Sequence, residues 1–243
     1  MTKYSTWIGT VLILLWASLS PTGSAWAKET TNPRPIAGGT GYLAIGAVAL
    51  DLGGLNGAMA RSGYSAFSRS FSTLGGGGHA VIDRLVLGGE CHSLLAKSGG
   101  SSSTGASLSG GFGFFDIGWV VYAGRGLRVF PLVGLGAGSL RLDITGRSAA
   151  SFGEVVADPK RSARLQTSGF LLNLALAVEK WFAKPGQRGS QGFFVGVRAG
   201  YELAPAPSGW ELDRMEIEGG PKLNLGGPYL RLVVGAGSSG RNQ

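Results

Sequence analysis

Alternation with a period of two governs the stretch QGFFVGVRAGYELA at 191–204, and it limits what the chain can fold into more than any other feature. Phe193, Val195, Val197, Ala199, Tyr201 and Leu203 form one row, while Phe194, Gly196, Arg198, Gly200 and Glu202 form the other. Successive side chains of a strand point to opposite faces, so the segment reads as a strand with one apolar face and one face of glycine and charge. The pattern recurs at 166–182, where Phe170, Leu172, Leu174, Leu176 and Val178 oppose Asn173, Ala175, Ala177 and Glu179. It recurs again at 127–145, with Leu127, Val129, Pro131, Val133 and Leu135 opposite Arg128, Phe130, Leu132 and Gly134, and at 227–237, with Leu230, Leu232 and Val234 opposite Tyr229, Arg231 and Val233.

Period-two segments bounded by turn-forming clusters predict eight strands, at 41–52, 79–96, 104–122, 127–145, 166–182, 191–204, 209–218 and 227–237. Within 79–96, Val81, Leu85 and Leu87 are read as one row against Arg84, Gly88, Glu90 and His92. Ala123-Gly124-Arg125-Gly126 marks a tight hairpin. Segment 53–78, ending in Gly75-Gly76-Gly77-Gly78, is read as a long loop with a short helical stretch; if it held a hairpin the count would be ten. With an N-terminus on the inner side and eight strands, this reading places 53–78 outside and 146–165 on the opposite, periplasmic side. The fold class expected is all-β, an antiparallel up-and-down barrel.

Glycine decides which row faces out. The chain carries 44 glycines in 243 residues, far above the roughly 7% of an average protein, and many fall in the non-apolar row. On a water-exposed strand glycine loses conformational entropy and offers no cross-strand pairing, so a soluble surface has little reason to use it. In a small barrel the interior is crowded, and small residues are required wherever a large one points across. The apolar row is therefore assigned to lipid and the other row to the lumen. The lumen is then expected to hold a charge network of both signs, from Arg84, Glu90, His92, Arg128, Glu179, Arg198, Glu202 and Arg231. Trp119, Tyr122, Trp181, Tyr201, Trp210 and Tyr229 stand near strand ends and are assigned to interfacial aromatic girdles.

The N-terminus predicts export. Lys3 precedes the apolar run WIGTVLILLWASL at 7–19, and Ala25-Trp26-Ala27 offers a small-x-small cleavage site, so 1–27 reads as a signal peptide. Residues 28–40 are then a periplasmic segment, 41–237 the barrel and 238–243 a tail. The full chain carries a net charge of +8, about +7 without the leader, which suits anionic lipid headgroups. The basic residues are scattered, which gives no support to nucleic acid as a partner. A lone cysteine, Cys91, leaves no internal disulfide.

The segments GGGGHAVIDRLVLGGE, QGFFVGVRAGYELA and GPYLRLVVGAG resemble those of small bacterial outer-membrane β-barrel proteins of the OmpA membrane-domain, OmpX and OmpW type. The resemblance is architectural, covers about 41–237, and implies an outer-membrane location with lipid around the wall. Such barrels usually end on an aromatic residue, where this chain continues through Ser238 to Gln243.

Chemistry-bearing motifs are few. VGLGAGSL at 133–140 has its glycines at period two inside a strand and does not open a helix, so it is no phosphate loop. Glu90 and His92 share a face, whereas Ser93 points the other way, which separates a nucleophile from its base. His79 is placed at a loop end. With two histidines and one cysteine no metal site or other cofactor is expected. The function expected is non-enzymatic: a structural or surface-interaction protein with a packed, charge-paired lumen, touching outer-membrane lipid and surface or periplasmic protein partners through its loops. A lipid-modifying enzyme of the outer membrane and a soluble exported barrel for an apolar ligand are the alternatives.

Overall fold

A computed structural model describes residues 36–100, 104–146, 162–183, 190–205, 209–212 and 215–241. The signal-peptide reading of 1–27 lies outside them, as do Arg147, Lys160 and Arg161 of the 146–165 segment. The elements are β1 (Ile36–Ala49), α1 (Gly53–Arg61), β2 (Ser70–Ile82), β3 (Leu85–Gly100), β4 (Thr104–Trp119), β5 (Tyr122–Gly124), β6 (Leu127–Gly146), β7 (Ser162–Ala183), β8 (Ser190–Leu203), β9 (Trp210–Leu212), β10 (Met215–Ile217) and β11 (Gly227–Arg241). No described helix is long and apolar enough to cross a membrane, which says nothing about crossing with strands.

Every neighbouring pair is antiparallel, and the order β1-β2-β3-β4-β6-β7-β8-β11 returns to β1. Ile36 pairs with Arg241 and Val48 with Tyr229, so the last strand closes on the first and the wall has eight staves. The wall therefore begins before residue 41 and runs past residue 237. β5 continues β4 after a break at Val120-Val121, whose amides donate to the Arg84 and Val129 carbonyls at 2.8 and 3.0 Å. β9 and β10 form a short hairpin on the upper end of β7, where Leu212 pairs with Leu165.

The eight-strand total agrees with expectation, but two of its members change. The four-glycine run is strand, not loop: Gly75 to Gly78 pair with Ala44 to Gly41 on β1 and with His92 to Gly89 on β3. The segment 79–96 is cut at Asp83-Arg84, with Asp83 at φ 56°, a left-handed conformation that aspartate tolerates. Conversely, 209–218 is the β9–β10 hairpin and forms no stave. Missing one strand before β3 reverses the direction assigned to its successors. In the structure Ala49, Ser70, Gly146 and Ser162 all end their strands at one rim, so the β1–β2 and β6–β7 connections join the same end of the barrel. The cut also moves Val81 to the interior.

Tight turns gather at the opposite rim. Arg125 at φ 52° and Gly126 at φ 75° supply the two positive φ angles of a primed hairpin turn, and Lys180 Nζ braces it through the Arg125 carbonyl at 2.7 Å.

The outer row of the wall is apolar and open. Leu43 (74% exposed), Ile45, Val133, Leu135, Phe170 (75%), Leu174, Val195, Leu232 and Val234 all face away from the lumen. Along β7 this row runs from Phe170 to Phe182, roughly 40 Å of strand and about 30 Å of height at the tilt usual for such barrels.

Inside, the side chains form three layers. Near the rim carrying α1, Val48, Phe71, Leu94, Leu108, Phe112, Leu140, Leu142 and Leu171 join Leu52, Leu55 and Met59 in one apolar cluster. At the tight-turn end, Val81, Val86, Val120, Phe130 and Leu132 form a second. Charged groups lie between.

Glycine makes that filling sterically feasible. A Cβ on Gly77 would sit 2.7 Å from the Tyr42 hydroxyl, and one on Gly75 would strike the His92 ring, whereas Gly41 on the outer face has nothing within 4 Å. Gly77→Val is accordingly expected to abolish the folded form, and Gly41→Val to leave it intact. The check is the fraction of refolded protein that keeps a fold-dependent mobility on an unheated detergent gel; equal behaviour of the two variants would contradict the packing described.

Candidate functional site in the barrel lumen

Sheet register sets the site. Arg198 on β8 and Arg231 on β11 are direct cross-strand partners, and both point inward. Like charges directly opposite repel, and here both guanidinium groups are removed from solvent. Glu90, reaching in from β3, lies between them. Arg198 Nη1 donates to Glu90 Oε2 at 2.7 Å and Arg231 Nη1 to Glu90 Oε1 at 2.8 Å, so each arginine takes one carboxylate oxygen.

Further groups extend the network in both directions. Toward the α1 rim, Arg231 Nη2 pairs with Glu202, and its guanidinium lies over the Tyr229 ring with 3.7 Å to the centroid. The Tyr229 hydroxyl donates to Asn173 Oδ1 at 2.8 Å, and Asn173 Nδ2 donates to Asp116 Oδ1 at 3.2 Å. Toward the tight-turn rim, Arg198 Nη1 also donates to the Tyr42 hydroxyl at 2.6 Å, and that hydroxyl donates to Glu90 Oε2 at 3.1 Å. Arg198 Nη2 approaches Glu179 Oε1 at 3.9 Å, and His79 Nε2 approaches the same oxygen at 3.7 Å. His92 Nε2 stands 3.5 Å from Glu90 Oε1.

Of the residues expected in the lumen, Glu90, His92, Glu179, Arg198, Glu202 and Arg231 are placed there, all buried. Arg128 is half-buried at the lower mouth, directly opposite Glu179 on the sheet and with its guanidinium 5.1 Å from the Trp181 ring. Arg84 is a correction: it is exposed in the β2–β3 turn, because the strand expected to carry it inward ends there.

The aromatic assignments divide. Trp119, Tyr122 and Tyr201 are exposed on the outer face. Trp181 instead turns inward: its ring stacks on Phe194 at 4.9 Å and its Nε1 donates to Glu179 Oε2 at 3.3 Å. Trp210 is buried in the apolar cluster at the α1 rim, with its Nε1 donating to the Pro221 carbonyl at 2.8 Å. Tyr229 belongs to the lumen network. Proximity to a strand end does not tell which face a ring takes; strand parity does, and Tyr229 shares parity with Arg231.

The sequence reading placed Asn173 in the lumen row but missed three members of the site. Tyr42 and Asp116 share strand parity with the inward glycines Gly46 and Gly118, which was the available signal. His79 was read as a loop residue because the glycine run beside it was read as a loop; it is buried on β2.

His92 is buried inside the wall while Ser93 is exposed outside it, so the two stand on opposite faces of β3. Cys91 is likewise exposed. Among the described residues no group of three or more His, Cys, Asp or Glu side chains is placed to hold a metal ion.

No protein-family model matches the chain, and no curated protein matches it in sequence. Among solved structures it is similar to Ail, the attachment invasion locus protein of Yersinia pestis, with 12% identity over 85% of this chain and 98% of that one and a TM-score of 0.36. It is also similar to the outer membrane protein AlkL studied in lipid bilayers, with 10% identity, 91% and 98% coverage and a TM-score of 0.31. These are likenesses of architecture, and the closed barrel described above rests on its own strand register.

Removing the Glu90 charge leaves two adjacent buried guanidinium groups sharing fewer counter-charges. Glu90→Gln is expected to cost about 3–5 kcal/mol, the usual penalty for breaking a buried pair on one side, whereas Arg84→Ala should stay within about 0.5 kcal/mol. Denaturant unfolding in detergent micelles measures both, and an equal, small effect would deny the lumen pairs any structural weight.

Proposed function

We propose that the protein is an outer-membrane β-barrel whose role is structural and interactive rather than catalytic, with a filled lumen as its rigid support and the loops of the α1 rim as its contact surface. The observation that carries this reading is the inversion of polarity across the wall. Leu43, Phe170, Val133 and Leu232 face outward while Glu90, Glu179, Glu202, Arg198 and Arg231 are buried inside. In water that arrangement would expose an apolar band around the whole barrel and bury charge without need; in lipid both halves are favourable. A closed barrel leaves no strand edge to meet the hydrocarbon. Export by a cleaved leader and the net positive charge agree with a place among anionic headgroups.

The apolar clusters above and below the charge layer favour a plugged barrel over an open pore. The separation of His92 from Ser93 across β3 supports the non-enzymatic reading over a lipid-modifying one. Function concentrates on loops held by a rigid scaffold, and here the α1 rim carries the longest connections.

Two measurements test the reading together. Carbonate-washed membranes should retain the protein in a heat-modifiable form, and the purified barrel in a planar bilayer should give no steady conductance above that of the bare membrane. A freely soluble protein without a mobility shift would turn the apolar row inward and favour a soluble ligand carrier. Steady channels would replace the plugged barrel with a conduit. Turnover of labelled membrane lipid that a folded His92→Ala variant loses would make it an enzyme.

A further inference from the structure

The two rims of the barrel differ in charge. At the α1 rim exposed acidic residues, among them Asp51, Glu211, Glu216 and Glu218, stand beside the basic ones. At the tight-turn rim the exposed charges among the described side chains are Arg84, Arg125 and Lys180, with Asp83 as the one carboxylate. Short turns are the periplasmic ones in barrels of this kind, so the basic rim lies toward the inner leaflet.

The β5–β6 hairpin gathers donors at one place on that rim. Lys180 Nζ donates to the Arg125 carbonyl at 2.7 Å and the Trp181 amide to the Gly126 carbonyl at 2.7 Å, so the turn rests on β7 with the ammonium pinned beside it. An added Cβ on Gly124 would lie 3.0 Å from the Tyr122 hydroxyl, which therefore also stands at the turn. Among the described residues neither Arg125 nor Lys180 forms an ion pair. The ammonium spends one donor on the turn, and its others remain for an acceptor.

Arg125 holds its position at a cost. Its φ of 52° is left-handed, a conformation in which a primed turn favours asparagine, aspartate or glycine. Asn-Gly would make the same turn more readily, so what arginine adds here is charge and reach. Apolar surface adjoins that charge on the lipid side. Trp119, Val121 and Tyr122 are 48–58% exposed and extend the outward row of Phe115 and Ile117 toward the rim. A soluble anion would use the cations alone. A ligand with an anionic head and an apolar body uses both surfaces, with the tyrosine ring in hydrocarbon and its hydroxyl among headgroups.

We infer that Arg125, Lys180 and the Tyr122 hydroxyl bind the phosphate of an inner-leaflet phospholipid, whose acyl chains lie along Val121 and Trp119. The inference rests on the outer-membrane reading proposed above and adds to it a specific lipid site.

The test follows retention of phosphatidylglycerol by the folded protein in maltoside micelles, read by native mass spectrometry across a lipid titration. Arg125→Asn removes the charge and leaves an Asn-Gly turn, which favours folding. It is expected to weaken phosphatidylglycerol binding about fivefold, and the double variant Arg125→Asn, Lys180→Gln about 25-fold. Tyr122→Phe, which removes one hydroxyl, is expected to weaken it about threefold. The pair Arg61→Gln and Lys222→Gln removes the same charge from exposed positions at the α1 rim and should leave binding unchanged. Inorganic phosphate in large excess should not displace the lipid.

No binding by the unaltered protein, or unchanged binding by the double variant, would overturn the site. An equal loss in the α1-rim pair would reduce it to bulk charge, and displacement by inorganic phosphate would make it a site for a soluble anion; both overturn it too. Should the double variant not fold, Arg125→Asn alone decides, and full binding by that variant sinks the proposal. Each variant is first shown to keep the heat-modifiable, membrane-retained form. Absence of that form in the unaltered protein would instead fail the outer-membrane reading, which separates the two outcomes.

Discussion

Two arginines that the sheet register sets side by side, and one glutamate that reaches both, are the interaction on which the rest of this structure depends. Arg198 and Arg231 cannot turn away from each other without leaving the lumen row, and neither meets bulk water. Glu90 comes from the opposite part of the wall, and only the closure of β11 on β1 brings it within reach. Closure and charge compensation are therefore a single event: an open sheet of the same strands would leave the guanidinium groups adjacent and uncompensated. The rings of Tyr42 and Tyr229, each under one guanidinium, add favourable cation–π contacts where water would otherwise be needed.

A lumen holding arginines, tyrosines and phenylalanines has to find room, and the register shows how. Arg231 lies opposite Gly46, Glu90 opposite Gly77, Asp116 opposite Gly134, Glu179 opposite Gly196 and Tyr229 opposite Gly200. The aromatic residues follow the same rule, with Phe114 facing Gly136 and Phe194 facing Gly235. Each of these inward side chains thus occupies the space that a missing Cβ leaves on the next strand. Glycine in these strands is a packing partner, and the entropy it loses on folding is offset by burial of the group beside it.

That rule also marks where a single sequence stops being legible. Alternation within a strand is local, so the lipid-facing rows at 193–203 and 170–178 could be read directly, and with them the inward Arg198, Glu202 and Glu179. Which residue stands opposite which glycine depends on register, a relation between segments far apart in the chain. The glycine run at 75–78 shows the consequence. Stripped of side chains it carries no alternation to read, and it reads as a loop although it is paired with β1 on one side and β3 on the other. The error then propagates: one unseen strand moves Arg84 from a turn into the lumen, His79 from the lumen to a loop, and the β6–β7 connection to the wrong side of the barrel. The hairpin at 209–218 restored the count of eight without restoring the topology. Trp181 and Trp210 failed for a related reason, since a ring near a strand end has two faces available and composition does not choose between them.

The same residue type has opposite consequences in the wall and in α1. Gly75 and Gly77 are held by hydrogen-bonded partners on both sides, so their missing side chains become room for His92 and Tyr42 and the result is a stiffer, fuller barrel. Gly53, Gly54 and Gly57 lie in a nine-residue helix, where the missing side chains lower helix propensity and burial of Leu52, Leu55 and Met59 holds the segment in place. The difference lies in what surrounds each glycine: lateral pairing converts its small size into packing, and without it neighbouring apolar side chains must hold the backbone. Glycine in this barrel is therefore an asset where paired strands flank it on both sides and a cost where only a short helix contains it.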